Sequence, residues 1–516
     1  MANTALFNTQ AAGLPQVDAY NRSKAGAYAL QPKHKLAQLA MTGCLNQTFY
    51  ADAPEQLAEV LALVAQLDAA FVAKTAVYAR RAGHMKDMPA LLVAALAAQR
   101  SSLLPAVFGQ VVDNGKMLRN VVQILRSGVT GRKSLGTQPK RLVQAWLNTA
   151  SERQLLQAAI GNQPSLADVL KMVHPKPNEA WREAFFAWVL GKPADADALP
   201  PLTRALLAFR SGASDELPDV PFQLLGDRQL SAAQWLEQAQ RMGWQALRMN
   251  LNTLARHGVF QLPGAAYTVA ARLADREAVA KSRVYPYQLL TAYTMAGNDV
   301  PGPVREALQD ALEQSLANVP ALSGNVVVCP DVSGSMQSPA TGYRPGATST
   351  VRCIDVAALM AAAVLRKQPA ARVMPFENQV VDVRLNPRDS VMSNAQKLAS
   401  IGGGGTNCSA PLAQLVKEKA KVDTLILVSD NESWIDAKRR GATETMLQWQ
   451  QLKRLNPKAK MVCIDIQPYG TTQAQEQQDI LNVGGFGDAV FDVIAQFANG
   501  EYGARHWVEL IEATEL

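Results

Sequence analysis

At 516 residues, with 48% hydrophobic and 18% charged residues, the chain has a globular composition and length enough for more than one core, which excludes disordered and fibrous classes. Its apolar runs fall short of the roughly 18 residues of a membrane span, and residues 1–14 lack the features of a signal peptide, so a soluble, cytoplasmic protein is expected. The net charge of +7 is unevenly placed: 32 Lys+Arg stand against 24 Asp+Glu through residue 320, and 19 against 20 beyond it. Cys44, Cys329, Cys353, Cys408 and Cys463 are widely spaced without a CxxC pair, which gives neither a disulfide framework nor a zinc signature.

In chain order, residues 30–320 read as helix after helix. Leu57, Val60, Leu61, Val64 and Leu67 share one face behind the start signals Asp52 and Pro54. Val304, Ala307, Leu308, Ala311, Leu312 and Leu316 repeat the pattern behind Pro303. Breakers at Gly83-His84, Asn114-Gly115, Ser127-Gly128, Gly161-Asn162, 191–201 and 211–221 leave helical hairpins of about 40 residues, the spacing of degenerate two-helix repeats. Between residues 114 and 151 stand Lys116, Arg119, Arg126, Arg132, Lys133, Lys140 and Arg141, with no acidic residue. Such a patch attracts polyanions, nucleic acid first. An ordinary solvated basic surface gives the same count.

The grammar changes near residue 320, which divides the chain into an all-α module (1–320) and an α/β module (321–516). Val326-Val327-Val328-Cys329, Leu425-Ile426-Leu427-Val428 and Met461-Val462-Cys463-Ile464 read as buried strands, with a helix over 353–366. Val373-Met374-Pro375-Phe376 and 380–383 read as a strand pair, with Pro375 marking an edge or bulge. Continuous apolar strands alternating with helices imply a parallel, Rossmann-like sheet covered on both faces. Ligands in such sheets gather at the carboxyl ends of the strands.

At the first such end stands Asp331-Val332-Ser333-Gly334-Ser335. Thr406 follows four glycines (402–405), and Asp430 follows the strand 425–428. Three loops can bring Asp331, Ser333, Ser335, Thr406 and Asp430 onto one hard cation, and oxygen-only ligation suits Mg²⁺. Taken alone, DxSxS is a weak signal, and the glycine run also fits a flexible hinge. It is not a phosphate loop, because no GxxxxGK[ST] follows.

This arrangement resembles the metal-ion-dependent adhesion site of von Willebrand factor A domains. More narrowly, Asp430-Asn431-Glu432-Ser433-Trp434 and Gly403-Gly404-Gly405-Thr406-Asn407-Cys408 resemble the variants of the Ro 60 kDa autoantigen family. Lys281-Ser282-Arg283-Val284-Tyr285-Pro286-Tyr287, Leu170-Lys171-Met172-Val173-His174-Pro175-Lys176-Pro177 and the run from Ala317 into the adhesion motif resemble that family's TROVE module. The resemblance implies a ring of HEAT-like helical repeats followed by an A-type domain. It implies a monomer that holds small Y-type non-coding RNA on a basic outer surface and single-stranded 3′ ends of misfolded RNA in a central hole, with an exoribonuclease as a possible partner. RNA contacts are expected from Arg132, Lys133, Lys140, Arg141, Lys171 and His174. Aligned on His174, Gln157 and Gly161 stand where the family has basic residues, and the Gly-rich N-terminal element is loosely echoed at Lys24-Ala25-Gly26-Ala27-Tyr28.

No enzymatic activity is expected. His34, His84, His174, His257 and His506 are scattered, there is no GxSxG elbow, and no acidic cluster suits two-metal chemistry. The competing reading is a metal-dependent interaction scaffold, with the helical repeats binding peptide and the A-type domain binding a partner carboxylate. The 337–352 loop beside the metal motif is left as a lid or a partner contact.

Overall fold

The structure is a computed structural model that describes residues 14–42, 45–226, 228–282, 284, 286–316, 319, 321–343, 351–435, 441–485, 488–500 and 506–516, the side chains of 488, 489 and 506 aside. The chain gathers into two compact units, and neither is contiguous. The sheet unit takes its residues from 1–63, 283–295 and 309–513, and the helical unit from 64–282, 296–308 and 514–516. This division differs from the single boundary expected at 320: the start of the chain belongs with the sheet. Arg283, Tyr285, Ala317, Asn318, Pro320 and residues 344–350, which fall within the motifs and loop named above, lie outside the described residues.

Among the described residues, the main sheet has five parallel strands in the order β4-β3-β5-β6-β8. They are β3 (Val326–Pro330), β4 (Arg372–Val373), β5 (Thr424–Ser429), β6 (Lys460–Asp465) and β8 (Ile480–Gly484). β3, β5 and β8 are buried throughout, as expected of a parallel sheet covered on both faces. The Cys353–Lys367 helix is apolar almost all round and buried over most of its length. The expected second strand at 380–383 does not form. Pro375 lacks an amide donor, and the chain turns back at once through a single bridge between Phe376 and Val380.

The N-terminal segment completes this unit through a second sheet. β1 (Ala19–Tyr20) pairs with β2 (Gly26–Ala29), and β2 pairs antiparallel with β7 (Thr471–Thr472). Tyr28, 1% exposed, joins the core that contains Cys329, Leu427 and Cys463. Its hydroxyl donates to the Pro15 carbonyl at 2.9 Å and accepts from the Thr443 amide at 3.2 Å.

In the helical unit, local signals set the boundaries. Asn114 caps the Gly115–Ser127 helix by accepting from the Met117 amide at 3.0 Å, and Gly128 ends it with φ +87°. Met117, Leu118, Val121, Val122 and Leu125 are buried, leaving Lys116 and Arg126 exposed on the other face. Ser165 opens the Leu166–Val173 helix with a capping box to Asp168, and His174 closes it in the left-handed region at φ 50°.

Candidate functional site

The carboxyl ends of β3 and β5 bring the five predicted oxygen donors together. Asp331 follows β3 directly; its Oδ1 accepts from the Ser333 amide at 2.8 Å, and its Oδ2 accepts from the Ser429 hydroxyl at 2.5 Å. Thr406 Oγ1 donates to Ser333 Oγ at 3.0 Å, and Ser333 Oγ lies 3.4 Å from Ser335 Oγ. The Ser335 hydroxyl also hydrogen-bonds Asp430. All five residues are buried.

The glycine run is what lets the middle loop approach. Gly404 has φ +69°, and a Cβ there would fall 2.0 Å from Glu377 Oε2; one on Gly405 would fall 2.6 Å from the Trp434 ring. The Gly334 amide donates to the Gly404 carbonyl at 3.1 Å, tying the two loops together. These contacts favour the loop role of the run over the hinge.

Burial, and then the charge of Asp430, pushes the Asp331 carboxyl up to about 7; burial likewise raises Asp430. Neither has an ion-pair partner among the described residues. Two buried acids beside three converging hydroxyls fit a hard divalent cation such as Mg²⁺, held by Asp331, Ser333, Ser335, Thr406 and Asp430. Such an ion would neutralise the acids and act as a Lewis acid toward an anionic ligand. A cleft of about 840 Å³ opens over Ser335 and Thr406, walled by Lys24, Phe49, Tyr50 and Trp434. Tyr50 hydrogen-bonds Ser335, and burial, then the Asp430 charge, pushes its phenol up to about 12.

Sequence reasoning missed four members of this neighbourhood. Ser429 orients Asp331, and Tyr50 reaches in from the N-terminal segment. Glu432 is pushed up to about 8 by burial and then by Asp430, and accepts from the Ser23 amide at 3.2 Å. Asp465 ends β6 with Oδ1 buried and without a hydrogen-bond partner among the described residues. Its signal was available, since Asp465 stands directly after the apolar run 461–464, the position that Asp430 and Asp331 hold near their own strands. Tyr50 had no such signal, because no local pattern ties it to the sheet.

The predicted RNA contacts lie in the helical unit. Lys133, Arg141, Lys171 and His174 are exposed, and Lys140 is half-buried. Gln144, one turn on from Lys140 and Arg141, donates to the carbonyls of Val173 at 2.5 Å and His174 at 3.3 Å. That link sets the helix of Lys140 and Arg141 beside the helix end of Lys171 and His174. Arg132 is half-buried, and its Nη1 donates to the Ala97 carbonyl at 2.8 Å near the end of the Asp87–Ala98 helix.

Residues 325–498 match the Ro60 vWA domain family, and residues 221–319 match the TROVE domain family. The chain carries a region similar to the TROVE domain followed by one similar to the Ro60 vWA domain. An RNA-binding protein RO60 from Deinococcus radiodurans is 29% identical over 521 residues, spanning 93% of this chain and 95% of that one. The Caenorhabditis elegans RNA-binding protein RO60 is 24% identical over 244 residues, 45% of this chain and 36% of its own length. The fold resembles the crystal structure of the Deinococcus radiodurans RO (RSR) protein, with a TM-score of 0.63 and 22% identity, over 92% of this chain and all of that one. Among the described residues, no helix is long and apolar enough to cross a membrane.

Proposed function

We propose that the chain is an RNA-binding protein whose helical unit holds small, Y-type non-coding RNA and single-stranded 3′ ends of misfolded RNA, in RNA quality control or maturation. The observation that carries this reading is the pairing of Lys140 and Arg141 with Lys171 and His174 through Gln144, beside a stretch free of acidic side chains. Exposed cations on neighbouring helices attract backbone phosphate, and unpaired ends are the usual target of RNA recognition. The similarity supports it, since the relatives it resembles are named as RNA-binding proteins.

The sheet unit then acts by binding and not by catalysis. A Mg²⁺ on Asp331, Ser333, Ser335, Thr406 and Asp430 offers an open position to an anionic group of a partner, an exoribonuclease among the candidates. The cleft, with Phe49 and Trp434 half-exposed at its rim, supports this second role.

Fluorescence anisotropy separates the roles, using a hairpin RNA with a 3′ tail, the blunt hairpin, and a tailed DNA, each at two salt concentrations. Tail-dependent, salt-sensitive binding is expected. A protein that binds none of these at low salt is not an RNA-binding protein of this kind.

A further inference from the structure

The turn between β1 and β2 grips the loop that follows β5. Asn21, buried at that turn, makes two bonds with opposite ends of its amide. Its Oδ1 accepts from the Ala25 amide at 2.8 Å, which fixes the hairpin, and its Nδ2 donates to the Ser433 carbonyl at 2.8 Å, which fixes the loop. Two residues on, the Ser23 amide donates to Glu432 Oε2 at 3.2 Å. Asp430, Asn431, Glu432 and Ser433 are all buried.

Each contact leads on to a residue of the metal centre. Ser433 Oγ accepts from the Cys408 amide at 3.0 Å and donates to the Thr406 carbonyl at 3.3 Å, and the Trp434 amide donates to that carbonyl at 3.1 Å. The Glu432 amide donates to Asp430 Oδ1 at 3.3 Å. Between them Asn431, in the left-handed region at φ 61°, donates from Nδ2 to Thr472 Oγ1 at 3.0 Å on β7, the strand that pairs with β2. A buried acceptor that loses its donor bears its full desolvation penalty. Lifting the hairpin would therefore oblige Ser433 and Glu432 to turn toward water, and the Asp430 and Thr406 backbones are tied to both.

We propose that the 19–29 hairpin is a strap whose docking is coupled to the cation, with Asn21 as the positioning residue that sets the Asp430 and Thr406 loops. The proposal rests on the metal-binding reading of the sheet unit and adds its regulation. Such coupling is reciprocal: the factor by which the docked strap tightens the cation is the factor by which the cation favours the docked strap. Lys24, on the strap, walls the cleft over Ser335 and Thr406. Cation occupancy thus also holds the cleft in the shape that a partner meets.

The test uses the full chain, with Mg²⁺ affinity read by calorimetry and strap opening by amide hydrogen exchange with and without saturating Mg²⁺. The amides of Asn21, Ser23 and Ala25 are expected to exchange about tenfold more slowly with Mg²⁺, while the Leu166–Val173 helix of the helical unit stays unchanged. Asn21→Ala is expected to weaken Mg²⁺ binding by about the same factor. The exchange arm is read on the wild-type chain, so the test stands if Asn21→Ala fails to fold. In Asp331→Ala the slowing is expected to vanish; slowing that persists there comes from Mg²⁺ bound elsewhere and overturns the coupling. Mg²⁺ binding by the wild-type chain with strap exchange unchanged, or with a folded Asn21→Ala protein binding as tightly, overturns the strap while leaving the metal reading intact. A wild-type chain that takes up no Mg²⁺ overturns the metal reading and the strap with it.

Discussion

The donors near the ends of β3 and β5 are buried and tied together by hydrogen bonds, and their two acids have no cationic partner among the described residues. The cations of the helical unit are mostly exposed, carried on separate helices, and related only through backbone-anchoring side chains such as Gln144. The first arrangement can be specific for one ion, because its geometry is set before the ligand arrives. The second can be specific only for charge density and spacing, which is what a nucleic acid backbone presents. The two regions should therefore fail independently and in different ways.

The largest expected effect is on the frame of the first region. Tyr28→Ala should cost the sheet unit about 3–5 kcal/mol, the range for removing a buried aromatic side chain. Tyr28→Phe should cost about 1 kcal/mol for the lost hydroxyl bonds. Urea unfolding followed by tryptophan fluorescence checks both; a Tyr28→Ala protein as stable as wild type would detach the N-terminal segment from the core.

Next comes the metal. Mg²⁺ at about a hundred times its Kd should raise the stability of the sheet unit by about 2.7 kcal/mol. Asp331→Ala should remove that gain without changing RNA affinity. Thermal melts with and without Mg²⁺, paired with anisotropy, read both arms. RNA binding lost in a folded Asp331→Ala protein would merge the two regions.

Reversing Lys140 and Arg141 to Glu should weaken RNA binding by about tenfold or more and lower the salt slope by about two, while the Mg²⁺ response stays. An unchanged slope would mean that these cations are ordinary solvated charge.

The smallest effect is a pH dependence. Glu418 is held down to about 2, against an ordinary 4.5, chiefly by the Arg372 hydrogen bond and then by Gln414. A depressed carboxylate adds stability above its unfolded pKa and loses it as pH falls through the folded one, so the contribution should fade between about pH 4.5 and 2. Both partners are more than a third exposed, and screening keeps the pair below about 1 kcal/mol. Acid unfolding of Arg372→Gln should converge with wild type at the bottom of that window.

The same contrast decides what could be read without coordinates. β3, β5 and β6 stand out because a strand covered on both faces must be apolar along its length. β8 does not, since Asn482 and Gly484 interrupt it and only burial against its neighbour makes it a strand. The five oxygen donors follow from a spacing rule, because loops at adjacent strand ends must converge. Tyr50 needed the fold. Among the cations, composition marks the stretch but not the surroundings: nothing in the sequence tells Arg132, half-buried and bonded to the Ala97 carbonyl, from Arg141, which is exposed.

The amide of Asn21 donates to the Ser433 carbonyl at 2.8 Å across 412 residues of chain. At a synthesis rate of about 5–20 residues per second, the first partner waits roughly 20–80 s for the second. The helices between them can fold in that interval, while β2 offers an open edge until β7 is made. The beginning of the chain is thus the last piece to find its place, and a ribosome that stops before β7 releases a protein with finished helices and an unclaimed strand.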